Sequence, residues 1–465
     1  MSTRQVKMPS AFVLIFIIMI VTAILTWIIP GGTYERQLNA EGREVVIDNT
    51  FSYTENQPQG IFSLLQAPIK GIIETSHIIA FILIIGGVFS IIDQTKVITA
   101  TILRVAHRLQ NRAYLVIPAG MLIFSIFGAV FGMSEEVIPF VLIFIPLSLS
   151  LGYDSIVGIS IPFLGAGLGF AGAMLNPFTI GIAQGIAELP IFSGFFYRCI
   201  VWVIVTFTGI ILVMRYAARI RKNKKLSPVY TIDQKRREKL KQEAEEKIHF
   251  SWRHKTIIIL FIITISLMIF GVMTYHWFIT EIAALFLGMG IISGIVAGLS
   301  IQDISDSFIS GAKDLVGAAL IVGFARAILV IASQGRIIDT IMHSLSSAIS
   351  QFHPIIGAQS MFIIQSVLNF FIPSGSGKAA LTMPIMTPLA DLIGITRQTA
   401  VLAYQLGDGL TNMIVPTSGV TIGVLGMAKI DWVVWAKWLY PIIIILTILG
   451  LLLIIPPVLF SYGPF

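Results

Sequence analysis

The chain contains little charge and almost no cysteine. Acidic and basic residues together make up 12% of its 465 residues, whereas soluble domains contain about 25%. The one cysteine, Cys199, stands in an apolar run, which excludes a disulfide framework and most thiolate metal sites. The seven histidines show no metal-ligand spacing, and no HExxH, GxSxG or Walker signature occurs. These absences argue against an enzyme, and we predict no cofactor.

Apolar sequence is what the chain has in excess. Hydrophobic residues make up 56% of it, and the mean hydropathy is +0.89. Runs long enough to cross a hydrocarbon core of about 30 Å recur from Phe12–Ile29 near one end to Leu439–Ile455 near the other. The first run is long for a signal peptide, and the IIPGGTYER that follows is a poor cleavage site, so it reads as a span. We predict an all-α, multi-pass protein of the cell membrane, surrounded by the lipid bilayer.

The positive charge is concentrated in one segment. Residues 215–255 hold 14 of the 31 lysines and arginines but only 5 of the 24 acids. Such loops lie on the cytoplasmic side, so we predict that this loop and the N-terminus are cytoplasmic and that residues 31–60, which are acidic, are outside. Because the charge belongs to a single juxtamembrane loop, it does not indicate a nucleic-acid partner.

Two stretches of the chain repeat each other. A shift of 242 positions superimposes residues 134–181 on 376–423 with twelve identities, many of them Gly, Pro, Ser or Thr. Each copy has a Ser/Gly tip, an arm with proline and a Gly-rich interruption in the next helix, where glycine and proline favour a break. Paired interrupted segments of this kind indicate the binding site of a transporter.

The first tip carries adjacent glutamates, Glu135 and Glu136. Carboxylates at membrane depth are costly unless they line a protein-enclosed or water-filled cavity. We therefore predict a re-entrant hairpin over residues 114–151 and, from the repeat, a second hairpin over residues 355–393 that enters from the opposite face.

These elements give a complete topology. It has nine spans, two of them broken, two hairpins, and amphipathic connectors at Lys96–Leu109 and Ile337–Gln351. The predicted organisation is a first inverted repeat over residues 1–214, the basic loop over 215–255, and a second inverted repeat over 256–465.

The tips and the interruptions supply the candidate substrate-binding residues. Helix N-termini offer N–H donors to a carboxylate, and unwound carbonyls and hydroxyls can hold Na⁺ or an ammonium group. The candidates are Ser134, Glu135, Glu136, Asn176, Ser374, Ser376, Lys378, Asp408, Asn412, Thr417 and Ser418.

Several of these residues have structural alternatives. The serines also suit close helix packing, and Asn176 and Asn412 also suit helix capping. Arg326, in a predicted span, is either functional or paired with a carboxylate of the surrounding protein. No metal site is predicted.

Four motifs carry a resemblance to a known family. They are GMSEEVIPF, LGAGLGFAGAMLNPFTIGIA, FFIPSGSGKAALTMPIMTPLADLIGITRQTAVLAYQLGDGLTN and VPTSGV. With them the chain resembles, over nearly its whole length, the YfcC-type branch of the anaerobic C4-dicarboxylate carrier family within the ion transporter superfamily. The resemblance implies an inverted-repeat elevator transporter that forms a homodimer through a scaffold domain, while a transport domain of hairpins and broken helices slides with the substrate.

The resemblance implies two substrate classes: C4-dicarboxylates for the family, and basic amino acids, by arginine/ornithine exchange, for closer kin. Dicarboxylate relatives carry Ser-Asn-Thr at both tips, whereas this chain has MSEE and SGSGK. Glu135, Glu136 and Asp408 suit ammonium or guanidinium groups, and Lys378 suits one carboxylate. We predict a secondary transporter or exchanger of basic amino acids. The alternative is a C4-dicarboxylate carrier coupled to Na⁺ or H⁺.

Overall fold

The computed structural model of the chain is mostly helical. It describes residues 11–38, 44–47, 50–109, 112–245, 251–275, 277–349 and 352–463. The first half contains α1 (Ala11–Ile28), α2 (Ile61–Glu74), α3 (Ser76–Gln94), α4 (Val97–Leu109), α5 (Ala113–Phe131), α6 (Val141–Ser150), α7 (Ser155–Ile159), α8 (Gly165–Ala171), α9 (Ile182–Ile186), α10 (Phe195–Lys222) and α11 (Tyr230–Glu245). The second half contains α12 (Trp252–Tyr275), α13 (Ile279–Ala297), α14 (Ile301–Gln334), α15 (Ile337–Ile349), α16 (Pro354–Phe371), α17 (Gly375–Leu392), α18 (Arg397–Asn412), α19 (Gly419–Ala428), α20 (Trp432–Leu453) and α21 (Ile455–Leu459).

Among the described residues, eight helices are long and apolar enough to cross a membrane. They are α3, α5, α10, α12, α13, α14, α16 and the α20–α21 segment. Two of them, α5 and α16, correspond to the first arms of the predicted hairpins. They are among the eight because length and composition alone do not distinguish such an arm from a membrane span. A chain with this many apolar helices is a multi-pass membrane protein.

Four short strands lie in the segment that follows α1. They are β1 (Gly32–Thr33), β2 (Arg36–Leu38), β3 (Glu44–Val46) and β4 (Ser52–Tyr53). The β1 strand pairs with β4 and β2 pairs with β3, both antiparallel. The prediction of a purely helical chain missed these strands, which are too short to show a period of two in the sequence. Arg36 joins the segment to α15 by an ion pair with Asp339 at 2.8 Å.

Other boundaries also differ from the prediction. The α2 helix was not predicted, and α14 begins at Ile301 rather than near residue 313 because Ser300 and Asp303 form a capping box at its start. The predicted loop 215–255 contains the end of α10 and all of α11. The predicted connector Ile337–Gln351 is helical to Ile349, and its last two residues lie outside the described residues. Residues 1–10 of the predicted first repeat and residues 246–250 of the predicted loop also lie outside them.

Contacts between arms show that the chain reverses at both predicted tips. The ring of Phe124 in α5 lies 5.0 Å from that of Phe140 and 5.6 Å from that of Phe144 in the following arm. In the second pair, the Lys378 amine of α17 donates to the Gln365 carbonyl of α16 at 3.2 Å.

Two helical paths are interrupted in the middle of the molecule. The path through α7, α8 and α9 is broken at residues 172–176, and the path from α18 to α19 is broken at residues 413–418. The helices α8 and α18 cross at two glycines. A methyl group on Gly409 would lie 2.3 Å from Ala171 Cα, and one on Gly167 would lie 2.5 Å from Met413 Sδ. The glycines therefore permit backbone approach at the point where the two broken paths meet.

The core has two parts. A large apolar cluster joins the helices of both predicted repeats. A smaller cluster packs Ile15 and Met19 of α1 against Ala67 of α2 and Ile328 of α14. Because α14 also packs along α2 and α3, these helices form a wall that faces the two tips.

Candidate functional site

The first tip presents two carboxylates. Helix α5 ends at Phe131 and is capped by Gly132, whose φ of 68° is a left-handed conformation that glycine adopts readily. The turn Glu135–Phe140 follows with both glutamates at its start. Glu136 is buried, with 8% of its surface exposed, and its Oε2 accepts from the Ser134 N–H at 2.8 Å.

The first interruption packs under this tip. The Met174 and Leu175 N–H groups donate to the Ala129 carbonyl at 3.0 and 3.1 Å. Asn176 is fully buried and caps the next helical segment by accepting from the Phe178 N–H at 2.9 Å. Its Nδ2 has no hydrogen-bond partner among the described residues. Asn176 therefore acts as a cap and a support for the tip.

The second tip is the N-terminus of α17. The Ser374 side chain caps the helix by accepting from the Gly377 N–H at 3.4 Å. The Tyr404 hydroxyl donates to the Gly375 carbonyl at 2.5 Å, which ties the tip to α18. Gly375 and Ser376, in the first turn of α17, line the space between the tips, and free N–H groups at a helix N-terminus suit an anionic group.

Lys378 and Asp408 face each other in the interior. The Lys378 Nζ lies 2.8 Å from Asp408 Oδ1, and neither side chain has any exposed surface. Asn369 also accepts from the amine at 3.0 Å. Breaking a buried pair by removing one partner is costly, and the pair holds Lys378 behind the surface of the cavity between the tips.

The second interruption is held at both ends. Thr417 donates from its hydroxyl to the Phe370 carbonyl at 2.7 Å, and Ser418 caps α19 by accepting from the Thr421 N–H at 3.4 Å. The indoles of Trp435 and Trp432 donate to the unwound carbonyls of Met413 and Ile414 at 2.9 and 2.8 Å. Asn412 remains half-buried at the start of this interruption.

A cavity of about 350 Å³ lies between the tips, the interruptions and the α2/α3/α14 wall. Eight of the eleven candidate residues line it: Ser134, Glu135, Glu136, Ser374, Ser376, Asn412, Thr417 and Ser418. The other three, Asn176, Lys378 and Asp408, do not line it. The tertiary structure thus gathers most of the candidates in one cavity, while the ion pair and the buried cap lie behind its surface.

The opposite wall adds ionisable groups that were not among the candidates. Glu74 and His77, on either side of the α2–α3 junction, and Arg326 of α14 line the cavity. The Arg326 Nε donates to Glu74 Oε2 at 2.7 Å. Glu74 is therefore a carboxylate partner of the kind that the sequence analysis considered for Arg326. Of the acids that line the cavity, Glu74 has this cationic partner, whereas no lysine or arginine among the described residues forms an ion pair with Glu135 or Glu136.

Aromatic residues also line the cavity. Phe170, Phe178 and Phe278 contribute to its surface, and the rings of Phe178 and Phe278 are 6.1 Å apart. In an apolar chain such residues carry no distinct sequence signal, so only their position in the fold identifies them.

A model of one protein family matches almost the whole chain. It is described as the C4-dicarboxylate anaerobic carrier family, and it matches residues 8–458. The chain belongs to this family. The carrier is accordingly a membrane transporter and not an enzyme, which confirms both predictions.

Two relatives match nearly all of the carrier. It is 37% identical to the Escherichia coli K12 protein YfcC, which is provisionally named a basic amino acid antiporter, over 98% of this chain and 96% of that protein. It is 30% identical to an uncharacterised protein of Haemophilus influenzae Rd over 97% of each chain. The predicted resemblance to the YfcC-type branch is therefore confirmed.

Two solved transporters are more distant from the carrier. They are YdaH of Alcanivorax borkumensis, with 14% identity and a TM-score of 0.42 over 98% of this chain and 100% of that one, and MtrF of Neisseria gonorrhoeae, with 15% identity and a TM-score of 0.43 over 97% and 95%. Likeness at this level carries no conclusion about the carrier.

Proposed function

We propose that the protein exchanges basic amino acids, such as arginine and ornithine, across the cytoplasmic membrane. The observation that carries this proposal is the charge of the cavity. Glu135 and Glu136 face it without a cationic partner among the described residues, whereas Lys378 is withdrawn into an ion pair with Asp408. The side-chain cation of a basic amino acid would neutralise negative charge at the first tip, whereas a dicarboxylate would be repelled by its two carboxylates.

The site also has groups for the substrate carboxylate. The first turns of α17 and α19 line the cavity through Gly375, Ser376, Gly419 and Val420. Helix N-termini bind anions through their free N–H groups and the helix dipole. In this proposal the α-carboxylate binds the second tip and the α19 N-terminus, and the side-chain cation binds the first tip. These backbone N–H groups, and not Lys378 as first expected, then bind the substrate carboxylate.

The relative YfcC supports the same substrate class through its name. The family name supports the alternative, a C4-dicarboxylate carrier coupled to Na⁺ or H⁺. Arg326 favours this alternative if its ion pair with Glu74 opens, because the guanidinium would then provide a positive charge for a substrate carboxylate in the cavity.

The experiment uses purified protein in liposomes loaded with ornithine. We expect accumulation of labelled arginine that stops when the internal ornithine is omitted, and competition by external lysine and ornithine but not by succinate or malate. Uptake of labelled succinate without uptake of arginine would overturn the proposal in favour of the alternative. Empty liposomes and liposomes with the Glu136→Gln variant serve as controls.

We further propose that the two halves, residues 1–214 and 256–465, are inverted repeats joined by the basic segment 215–255. The contacts at the crossing of α8 and α18 support this arrangement. The 242-position shift relates Gly167 to Gly409 and Ala171 to Met413, and Gly167 packs on Met413 just as Gly409 packs on Ala171. Reciprocal contacts between equivalent residues are what a two-fold relation requires.

The remaining parts of the proposal concern movement and orientation. The hairpins and broken helices form a transport domain that slides against a scaffold in an elevator mechanism, and the scaffold forms a homodimer. The N-terminus and residues 215–255 are cytoplasmic. If transport is coupled to an ion, that ion is Na⁺ or H⁺.

A further inference from the structure

Lys378 is enclosed in a shell of oxygen atoms. Its amine lies 2.8 Å from Asp408 Oδ1, 3.0 Å from Asn369 Oδ1 and 3.2 Å from the Gln365 carbonyl oxygen. All four residues are fully buried. An ammonium group has three donors and no acceptor; here two oxygens accept hydrogen bonds from it, those of Asn369 and the Gln365 carbonyl, and the Asp408 carboxylate compensates its charge as an ion pair.

The shell is held in place by its own hydrogen bonds. The Asn369 Nδ2 donates to Thr411 Oγ1 and Asn412 Oδ1, both at 2.9 Å, which leaves the Asn369 oxygen directed at the lysine. The Asn412 Nδ2 donates to the second Asp408 oxygen at 3.2 Å. These bonds orient the Asn369 and Asp408 side chains through donors other than the lysine amine.

One carboxylate, one side-chain amide and one backbone carbonyl are oxygen ligands that suit a hard monovalent cation. They come from α16 and from α18 just before its interruption, which is the depth at which broken helices of transporters bind coupling ions. Here the ammonium of Lys378 takes that place.

The first repeat differs at the equivalent position. The 242-position shift places Glu136 opposite Lys378. Glu136 lines the cavity, whereas Lys378 lies behind it with its charge compensated by Asp408. One tip therefore contains its own cation, and the other tip leaves its carboxylates for an incoming cation.

We propose that Lys378 is a tethered cation that fills a Na⁺-type site in the second half of the protein. The carrier then needs no free monovalent cation at this place for its structure or, if the proposed function holds, for exchange. Removing the lysine side chain creates a site that binds Na⁺ through Asp408, Asn369 and the Gln365 carbonyl.

The first test is thermal unfolding of the purified protein in NaCl and in choline chloride of equal ionic strength. We expect the same melting temperature for the wild type in both salts. Lys378→Ala should melt lower in choline and recover part of the loss in NaCl, since a ligand that binds only the folded state stabilises it. The double variant Lys378→Ala/Asp408→Asn should show no such difference, because it lacks the carboxylate.

A Lys378→Ala protein that melts at the same temperature in both salts would overturn the proposal. So would a wild-type protein that Na⁺ stabilises. Should Lys378→Ala fold only when prepared in NaCl, that dependence is itself the expected result. Should it fold in neither salt, that result counts against the site, because a Na⁺ ion in the oxygen shell should replace the charge of the lysine.

The second test is arginine/ornithine exchange by the wild type, with choline replacing Na⁺ on both sides of the membrane. The exchange rate should not change, and a rate that falls more than tenfold contradicts the proposal. If no arginine moves in either salt, the proposed function fails, whereas the melting experiment still decides whether Lys378 occupies a cation site.

Discussion

At the scale of single residues, the position of each charge decides what the cavity can bind. The sequence places carboxylates at one tip and a lysine at the other, and both looked like substrate ligands. The fold leaves Glu135 and Glu136 at the cavity and turns Lys378 toward Asp408. The charge of Lys378 is compensated inside the protein whereas the two glutamates line the cavity, so the two tips are not equivalent.

The first prediction concerns Glu136. Glu136→Gln keeps the shape of the side chain and its bond to the Ser134 N–H but removes the charge. The loss of a charged hydrogen-bond partner costs about 1.5–3 kcal/mol, so arginine affinity should fall by about tenfold or more. Uptake measured against arginine concentration checks this result. Glu238→Gln, on the exposed face of α11, is the matched control, and equal kinetics in the two variants would remove Glu136 from the site.

The second prediction concerns the Glu74–Arg326 pair. Both side chains are partly exposed to the cavity, with 44% and 33% of their surfaces accessible. Glu74→Gln frees the guanidinium and removes an acid, so competition by succinate should appear and arginine affinity should fall. Arg326→Gln should act in the opposite direction on succinate, because it leaves a third carboxylate without a partner. Identical competition curves for the wild type and both variants would contradict this role.

At the scale of helices, the contacts that organise the site lie where two elements approach closely. The third prediction concerns Gly409, where α18 passes Ala171. A methyl group there would lie 2.3 Å from Ala171 Cα. Because this atom belongs to the backbone, no side-chain rotation can relieve the clash. Overpacking costs about 1–3 kcal/mol, so Gly409→Ala should lower the melting temperature. In Gly288→Ala the added methyl has nothing within 4 Å, and this control should melt like the wild type.

The fourth prediction concerns α11. Asp233 is fully buried and accepts from the Ser155 N–H at 2.8 Å at the start of α7. The Arg236 side chain of the same helix donates to the Ala428 carbonyl at the end of α19. Asp233→Ala should therefore release α11 and increase its backbone hydrogen exchange and its cleavage by trypsin. Gln234→Ala, at an exposed position that trypsin does not recognise, is the control, and unchanged protection of α11 in the Asp233 variant would show that the helix is held by other contacts.

At the scale of the whole molecule, the fifth prediction concerns the proposed orientation, in which residues 215–255 are cytoplasmic and residues 31–60 are outside. The scarcity of cysteine allows a direct test, because Cys199→Ser leaves a background without thiols. A single cysteine at Lys241 should react with an impermeant maleimide only in inside-out vesicles. One at Ser52 should react only in right-side-out vesicles. Labelling of both from the same side would contradict the proposed orientation and with it the inverted relation of the halves.

Much of the fold could be predicted from the sequence because its signals are local. Hydropathy and glycine or proline positions predicted both chain reversals and both interruptions within a few residues. The short strands, α2 and α11 were missed, since two or three residues show no period and a basic helix resembles a loop in composition. The aromatic residues of the cavity were also missed, because phenylalanine is common throughout an apolar chain.

The sequence by itself determined that the chain is a membrane transporter of a known family, because apolar length, charge distribution and tip motifs are properties of short segments. Only the tertiary structure decided which ionisable groups reach the cavity. Arg326 meets Glu74 across 252 positions of sequence, and Lys378 meets Asp408 across a helix crossing. Such pairs depend on how helices pack around a common centre. No spacing along the chain contains that information, since the interaction of two charges depends on their separation in space and on their removal from water.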